Sequence, residues 1–135
     1  MGHSVRGMCM TVTVLIVDDS KLARIVAGRK IHALQPDWQH VEAANAEEAM
    51  AIVGERQIDV ALLDYNMPGR NGLDLAAQLR ALHPAMPIAV ITANVQDEVI
   101  ARARAVDATF VGKPVTEAGL SSFVAGAASR LRQEG

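Results

Sequence analysis

Four short stretches of the chain are almost continuously apolar and rich in β-branched residues. They cover residues 12–17, 58–63, 87–91 and 109–111. These stretches lack the alternation of apolar and polar positions that a half-exposed strand shows, and continuous runs of this length are typical of parallel strands covered on both faces. The pattern therefore predicts the buried strands of a parallel sheet.

Alanine-rich segments of helical length separate these strands, at residues 21–34, 46–56, 72–82 and 97–105, with a last one at 117–131. Asn45 and Glu48 form a capping arrangement, and Asn71 can cap the third helix. Residues 38–44 (WQHVEAA) are more polar, and they predict a second strand nearer an edge of the sheet. Five strands alternating with five helices indicate an α/β domain with right-handed crossovers.

The composition narrows the class of protein. The chain has 135 residues, 50% hydrophobic and 21% charged, which is the size and balance of one globular domain. Its net charge of -2, with one Trp, one Tyr and two Phe, offers little to a phosphate backbone or to stacked bases, so we expect no direct nucleic-acid binding. No apolar stretch approaches the roughly 20 residues of a membrane helix, and the single cysteine, Cys9, cannot form an internal disulfide. We expect a cytoplasmic protein without membrane contact.

The start of the domain is suggested by Met10, which opens the stretch MTVTVLIVDD. We expect residues 1–10 to be a flexible N-terminal extension or a cloning remnant. Residues 11–132 then form the domain, with no internal repeat and no linker between two domains.

Polar residues follow the ends of four predicted strands. Asp18 and Asp19 follow the first strand, Asp64 follows the third, Thr92 the fourth and Lys113 the fifth. Ligands of open parallel sheets bind outside the carboxyl ends of the strands. The sequence therefore predicts that three carboxylates, a hydroxyl and an ammonium group converge at one edge of the sheet.

Such a carboxylate cluster favours a bound cation. Two unit negative charges about 4 Å apart repel by on the order of 4 kcal/mol at a surface-like dielectric. Hard oxygen ligands suit Mg²⁺, which often binds one or two carboxylates together with a phosphate, and the histidines and cysteine lack the spacing of a zinc site. A carboxylate beside such a metal, Asp64, can attack phosphorus to form an aspartyl phosphate. Lys113 and Thr92 would then contact the phosphoryl oxygens.

Each of these residues, taken alone, also fits an ordinary structural role. Asp64 could begin the turn that contains Pro68 and Gly69, Thr92 could precede a helix, and Lys113 could be solvated. Their joint placement at one edge, after successive strands, is hard to explain by turn chemistry. The joint pattern favours a phosphoryl site.

The motifs at these strand ends resemble the receiver domain of two-component response regulators. They are VDDS after the first strand, DYNMPGRNG after the third, TA after the fourth and KP after the fifth. The resemblance covers about residues 11–131 and is greatest for the single-domain, chemotaxis-type members. It implies a flavodoxin-like, doubly wound five-stranded parallel sheet of order 2-1-3-4-5 with five helices.

The resemblance also implies the phosphorylation chemistry. Asp64 would accept a phosphoryl group from a sensor histidine kinase or a phosphotransfer protein. Mg²⁺ would be bound by Asp18, Asp19, Asp64 and the backbone carbonyl of Asn66. Lys113 would contact the phosphoryl group. The protein would be a phosphoacceptor regulator and not an enzyme, since it would catalyse only its own phosphorylation and dephosphorylation.

The resemblance further implies a conformational switch. Thr92 would move toward the phosphoryl oxygens and Phe110 would turn inward, which changes the face formed by the fourth helix, fifth strand and fifth helix. This face would regulate a downstream protein and could support a homodimer. The Lys113–Pro114 bond would be cis, as X-Pro bonds can be. Asn66 and Asn94 flank the expected path of the hydrolytic water and are candidates for tuning the lifetime of the phosphoryl group.

One position departs from the family pattern. Asp107 stands where the family usually has Gly, in the turn before the fifth strand, and Asp tolerates left-handed conformations better than most residues. We therefore expect a modest change in the geometry of this loop.

Two other functions compete with the signalling module. The first is a phosphorylation-independent interaction domain on the same fold. Such a domain has usually lost an acidic, acceptor or lysine position, and none of these positions is lost here. The second is a hydrolase or nucleotide-binding enzyme, against which the sequence lacks a P-loop, a G-x-G-x-x-G turn and a nucleophile elbow.

Overall fold

Five strands alternate with five helices in the part of the chain that the computed structural model describes, residues 11–93 and 96–134. The strands are β1 (Thr13–Val17), β2 (Gln39–Ala43), β3 (Val60–Asp64), β4 (Ile88–Thr92) and β5 (Thr109–Gly112). The helices are α1 (Lys21–Leu34), α2 (Ala46–Glu55), α3 (Gly72–Leu82), α4 (Asp97–Ala105) and α5 (Glu117–Glu134). The predicted alternation of strands and helices is confirmed.

All four strand pairs of the sheet are parallel, and the strand order is β2-β1-β3-β4-β5. This is the flavodoxin-like order that the resemblance implied. Every residue of β1, β3 and β4 is buried, whereas β2 exposes three of its five residues. The polar stretch therefore lies at an edge, as its composition predicted.

The core consists of two layers, one on each face of the sheet. Side chains of alternate strand residues point to opposite faces, so Leu15 packs in one layer and Ile16 in the other. The first layer includes residues of α2, α3 and α4, and the second includes residues of α1 and α5. Because both faces are covered, the functional groups of the sheet can be reached only at its edges.

Polar caps fix the starts of the first three helices at the carboxyl edge of the sheet. The Ser20 hydroxyl accepts a hydrogen bond from the Ala23 N–H, and Asn71 Oδ1 accepts one from Asp74 N–H. Asn45 Oδ1 accepts from the N–H of Glu48. These caps satisfy backbone donors that the first turn of a helix leaves unpaired, and the predicted caps at Asn45 and Asn71 are confirmed.

Some predicted boundaries need correction. The strand expected from residue 58 begins at Val60, because the Asp59 side chain accepts a hydrogen bond from Thr13 N–H and the Asp59 N–H donates to the Thr13 carbonyl. The helix expected to end at residue 131 continues to Glu134, since Arg, Gln and Glu are good helix formers. The helix expected to reach residue 56 ends at Glu55.

The turn between α4 and β5 contains Asp107 in a left-handed conformation, with φ of 55°. Asp tolerates this conformation better than most residues do, and the expected change in the geometry of the loop stays a prediction. The Arg80 side chain on α3 spans this turn: Nε donates to the Val106 carbonyl and Nη2 donates to the Asp107 carbonyl. Arg80 Nη1 also donates to the carbonyl of Pro84. One guanidinium group thus joins the end of α3 to the beginning of β5.

None of the helices in the described ranges is long and apolar enough to cross a membrane.

Candidate functional site

Three carboxylates converge at the carboxyl edge of the sheet. One oxygen each of Asp18, Asp19 and Asp64 can be chosen so that all three lie within 4.8 Å of one another. The sheet register produces this cluster, because Val17 of β1 pairs with Leu63 of β3 and the acidic residues follow that pair. The sequence predicted that these side chains would meet, and the structure brings them together.

Asp64 is the most deeply buried of the three, with only 3% of its surface exposed. Its Oδ1 lies 2.7 Å from Lys113 Nζ, so the lysine at the end of β5 reaches across the edge to the carboxylate. Apart from this ion pair, Asp64 Oδ1 has no hydrogen-bond partner of suitable geometry among the described residues. Buried carboxylates need a compensating charge or donor, and one partly exposed ammonium compensates only part of the negative charge here.

The backbone and side chain of Asp18 are held by neighbouring residues. Its N–H donates to the carbonyl of Ala43 on the adjacent strand, at 3.1 Å. Its Oδ1 accepts a hydrogen bond of 2.9 Å from the Ser20 N–H. Asp18 therefore has a fixed orientation at the end of β1.

Burial raises the pKa of the Asp18 carboxyl, and the nearby charges of Asp64 and Asp19 raise it further. The hydrogen bond from Ser20 and the charge of Lys113 act in the opposite direction and only partly offset this. Ionised Asp18 is thus disfavoured by its surroundings, and a cation among the carboxylates would reverse this effect.

The donor set fits a hard divalent cation. Three carboxylates face a single ammonium group, and the Asp64 oxygen that lacks a hydrogen bond is buried. Oxygen-only ligands, few in number and open to water on one side, suit Mg²⁺. Asn66 follows β3 and is exposed, and the role of its carbonyl as a ligand stays a prediction.

The remaining predicted site residues lie on β4 and β5. Thr92 ends β4 and is completely buried, and its carbonyl accepts a hydrogen bond from Lys113 N–H at 3.1 Å. Phe110 pairs with Val90 across the sheet and is half-buried. The Lys113–Pro114 peptide bond is cis. Asn94 lies outside the described residues.

The loop after β3 returns close to the backbone of Asp64. Gly69 has φ of 80°, a conformation that glycine adopts readily. Gly72 begins α3, and its N–H donates to the Tyr65 carbonyl at 3.0 Å. A Cβ atom at Gly72 would overlap the backbone of Asp64. The helix thus approaches the site because this residue has no side chain.

Sequence reasoning missed two residues beside the site, Arg24 and Glu42. Arg24 Nη1 donates to the Asp18 carbonyl at 2.6 Å, and Arg24 Nε donates to Glu42 Oε1 at 2.8 Å. The position of Arg24 one turn after the Ser20 cap was an available signal, since a residue in the first turn of α1 lies near the end of β1. No comparable signal pointed to Glu42, whose partner lies on another element.

The family described as the response regulator receiver domain matches residues 14–125. The transcriptional regulatory protein MalR of Bacillus subtilis is 36% identical over 89 residues, which are 66% of this chain and 38% of that protein. The sensory/regulatory protein RpfC of Xanthomonas campestris is 31% identical over 134 residues, 95% of this chain and 18% of RpfC. The chain spans less than half the length of either relative.

Solved structures agree with the fold. The chemotaxis protein CheY4 of Vibrio cholerae has a TM-score of 0.79 with 26% identity, and the similarity covers 87% of this chain and 99% of that one. A response regulator receiver protein from Pseudomonas putida has a TM-score of 0.78 with 26% identity, covering 87% and 98% of the two chains.

Proposed function

The chain belongs to the family of response regulator receiver domains, and we propose that it is a phosphorylation-controlled signalling module whose phosphoacceptor is Asp64. The observation that carries this proposal is the placement of Asp64, buried, paired with Lys113 and surrounded by Asp18 and Asp19. A carboxylate in these surroundings can act as a nucleophile toward phosphorus.

In the transfer step a carboxylate oxygen of Asp64 attacks the phosphorus of a phosphohistidine on the donor protein. The new bond joins this oxygen to phosphorus, and the bond between phosphorus and the imidazole nitrogen breaks with its electron pair going to the imidazole. The Lys113 ammonium group, 2.7 Å from Asp64 Oδ1, balances negative charge on the phosphoryl oxygens. Water later hydrolyses the aspartyl phosphate and returns the free carboxylate.

Asp18, Asp19, Asp64 and the carbonyl of Asn66 would hold Mg²⁺. When bound, the ion neutralises negative charge on the transferred phosphoryl group. The three carboxylates lie close enough together to share one ion.

Phosphorylation then controls a partner through a switch. The aspartyl phosphate carries about two negative charges, where the free carboxylate carries one, and the hydroxyl of Thr92, which ends the neighbouring strand, moves toward it. Phe110 turns inward, and the surface formed by α4, β5 and α5 shifts toward the form that binds a downstream protein or a second copy of the chain.

The phosphodonor would be a sensor histidine kinase or a phosphotransfer protein in the cytoplasm. An exposed apolar strip beside the site supports contact with such a protein: Leu22 is 71% exposed and Val26 38% exposed on α1, and both line a groove with Lys113 and Pro114. Apolar side chains that cluster on the surface are typical of binding sites for other proteins. A donor seated there would reach Asp64 from the open edge of the sheet.

Mass spectrometry after incubation with Mg²⁺ and acetyl phosphate tests this function. We expect the protein to gain one phosphoryl group and Asp64→Asn to gain none. Asp37→Asn, which removes an exposed carboxylate from the turn between α1 and β2, is the control and should be phosphorylated like the parent. Lack of phosphorylation of the parent by any donor would favour an interaction domain that does not use phosphate.

A further inference from the structure

Arg24 connects three elements of the fold beside the acidic cluster. Its Nη1 donates to the carbonyl of Asp18 at the end of β1, and its Nε donates to Glu42 on the edge strand β2. The Arg24 side chain is only 14% exposed. A guanidinium group presents several donors in one fixed plane, so both contacts together determine where this group lies.

The carbonyl that Arg24 contacts belongs to the peptide unit between Asp18 and Asp19. This unit is planar, so fixing its oxygen also fixes the nitrogen and the Cα atom of Asp19. On the other side, the Asp18 N–H is held by the Ala43 carbonyl. The two hydrogen bonds therefore hold the backbone positions from which both carboxylates project.

We propose that Arg24 is a positioning residue for the metal site, which sets the affinity for Mg²⁺ by fixing the Asp18–Asp19 peptide unit. The inference rests on the proposed function, because it concerns the metal that the phosphorylation site uses. Among the described residues, Arg24 bonds the backbone of Asp18 and no carboxylate oxygen of Asp18, Asp19 or Asp64, so it acts through the geometry of other residues. Groups that orient metal ligands in this way commonly change metal affinity when they are removed.

Glu42 has a separate part in this arrangement. It holds the guanidinium group by a hydrogen bond of 2.8 Å and balances its charge. Without Glu42, Arg24 would be free to turn toward the carboxylates of Asp18 and Asp19 and to compete with a cation for them. Loss of either partner should therefore weaken metal binding.

A purely structural link between α1 and β2 is the competing explanation for these contacts. In that case Arg24 and Glu42 would stabilise the fold and have no influence on the metal. The two explanations differ in one measurable quantity, the Mg²⁺ affinity of the folded protein.

The test is a titration of the full chain with Mg²⁺ in the absence of any phosphodonor. NMR signals of the backbone amides near β1 report Mg²⁺ binding. The variants are Arg24→Lys, which keeps the charge but loses the planar set of donors, and Glu42→Ala. We expect each to weaken Mg²⁺ binding by about 10-fold, the low end for residues that orient metal ligands. The double variant should bind no more weakly than the worse single variant, because both changes disrupt the same arrangement.

Arg29→Lys is the matched control, since Arg29 is exposed on the same helix. It should bind Mg²⁺ like the parent. The free energy of unfolding is measured for every variant by urea denaturation, so that lost stability is separated from lost affinity. If Arg24→Lys is destabilised but keeps the parent's Mg²⁺ affinity, the structural explanation is right and the proposal is wrong.

Phosphorylation by acetyl phosphate separates this inference from the proposed function. For Arg24→Lys, we expect a higher Mg²⁺ concentration for half-maximal phosphorylation and a rate at saturating Mg²⁺ close to the parent's. A parent that is phosphorylated, together with an unshifted Mg²⁺ dependence in Arg24→Lys, overturns the inference and leaves the function standing. A parent that binds no Mg²⁺ overturns both.

Discussion

At the scale of single residues, the carboxylates of the acidic cluster are arranged to bind a ligand, and their mutual repulsion lowers the stability of the ligand-free protein. Asp18 is 8% exposed and shares its surroundings with two other carboxylates. Two charges at the 4.8 Å limit of this cluster repel by about 1 kcal/mol even at the dielectric constant of water. Proteins retain such mutually repelling carboxylates where a functional ligand compensates for their charge. Removing one of these charges should therefore stabilise the ligand-free protein.

Asp18→Asn should increase the free energy of unfolding at about pH 7 by on the order of 1 kcal/mol, in the absence of Mg²⁺. The folded state raises the pKa of Asp18, so it binds the proton more tightly than the unfolded chain does. Ionisation therefore penalises the folded state as pH rises from the ordinary pKa of 3.8 through the raised one, and the penalty is complete above it. Urea denaturation of both proteins across this range measures the difference.

The stabilisation by Asp18→Asn should shrink as the pH falls toward 3.8, the ordinary pKa of the group, because the parent carboxyl then becomes protonated as well. Asp37→Asn, at an exposed position, serves as the comparison and should show no such trend. A stability difference that is the same at all pH values would mean that the charge of Asp18 is not its cause.

At the scale of helices and strands, most of the fold could be predicted from local chemistry. The bounds predicted for α1, α3 and α4 agree with the structure, and the starts of α1 and α3 are marked by the polar caps Ser20 and Asn71. The acidic cluster was predictable too, because parallel strands place their carboxyl ends at one edge. The predicted first residues of the strands were less accurate, as for β3, which begins at Val60, because the start of a strand depends on its pairing with a strand distant in sequence.

The contacts that could not be predicted from the sequence are made by long side chains that join one helix or strand to another. Arg80 bonds carbonyl groups in the turn before β5, and Arg24 reaches Glu42 on β2. The local pattern places Arg24 near the end of β1 but gives no sign of Glu42, and it does not distinguish Arg80 from a solvated arginine, because these partners are distant in sequence and meet only in the folded chain. The convergence of the three carboxylates and Lys113 could thus be predicted, and the side chains that support them from neighbouring elements could not.

Gly72→Ala tests how closely α3 packs against the end of β3. A Cβ atom at this position would overlap the backbone of Asp64, so the helix or the strand end has to move. We expect the free energy of unfolding to fall by about 1 to 3 kcal/mol, as for other overpacked sites. Urea denaturation measures the loss, and phosphorylation of Asp64 by acetyl phosphate should slow because the acceptor is displaced.

Gly126→Ala provides the matched control. Gly126 lies within α5, and a Cβ atom there would meet nothing within 4 Å. Replacing glycine by alanine inside a helix should therefore increase the free energy of unfolding by roughly 0.5 to 1 kcal/mol. Equal effects of the two substitutions would show that close packing at Gly72 is unimportant.

At the scale of the whole molecule, the site depends on the complete sheet. Asp18 follows β1, Asp64 ends β3 and Lys113 follows β5, so segments far apart in sequence supply its groups. β1 and β3 are interior strands of the sheet, and the carboxylates are brought together only when these strands pair. The unfolded chain has no equivalent cluster, and binding of a cation is therefore linked to global folding.

Mg²⁺ should consequently raise the melting temperature of the parent protein. At a concentration about a hundred times the dissociation constant, a ligand that binds only the folded state adds about 2.7 kcal/mol, which for a domain of this size corresponds to roughly 5 to 15 °C. Asp19→Asn should lose most of this shift, because the side chain of Asp19 is exposed and contributes to the cluster rather than to the core. NaCl at the same ionic strength should not reproduce it, since monovalent salt only screens the repulsion among the carboxylates. Equal shifts in MgCl₂ and NaCl, or an undiminished shift in Asp19→Asn, would place the effect of Mg²⁺ outside the acidic cluster.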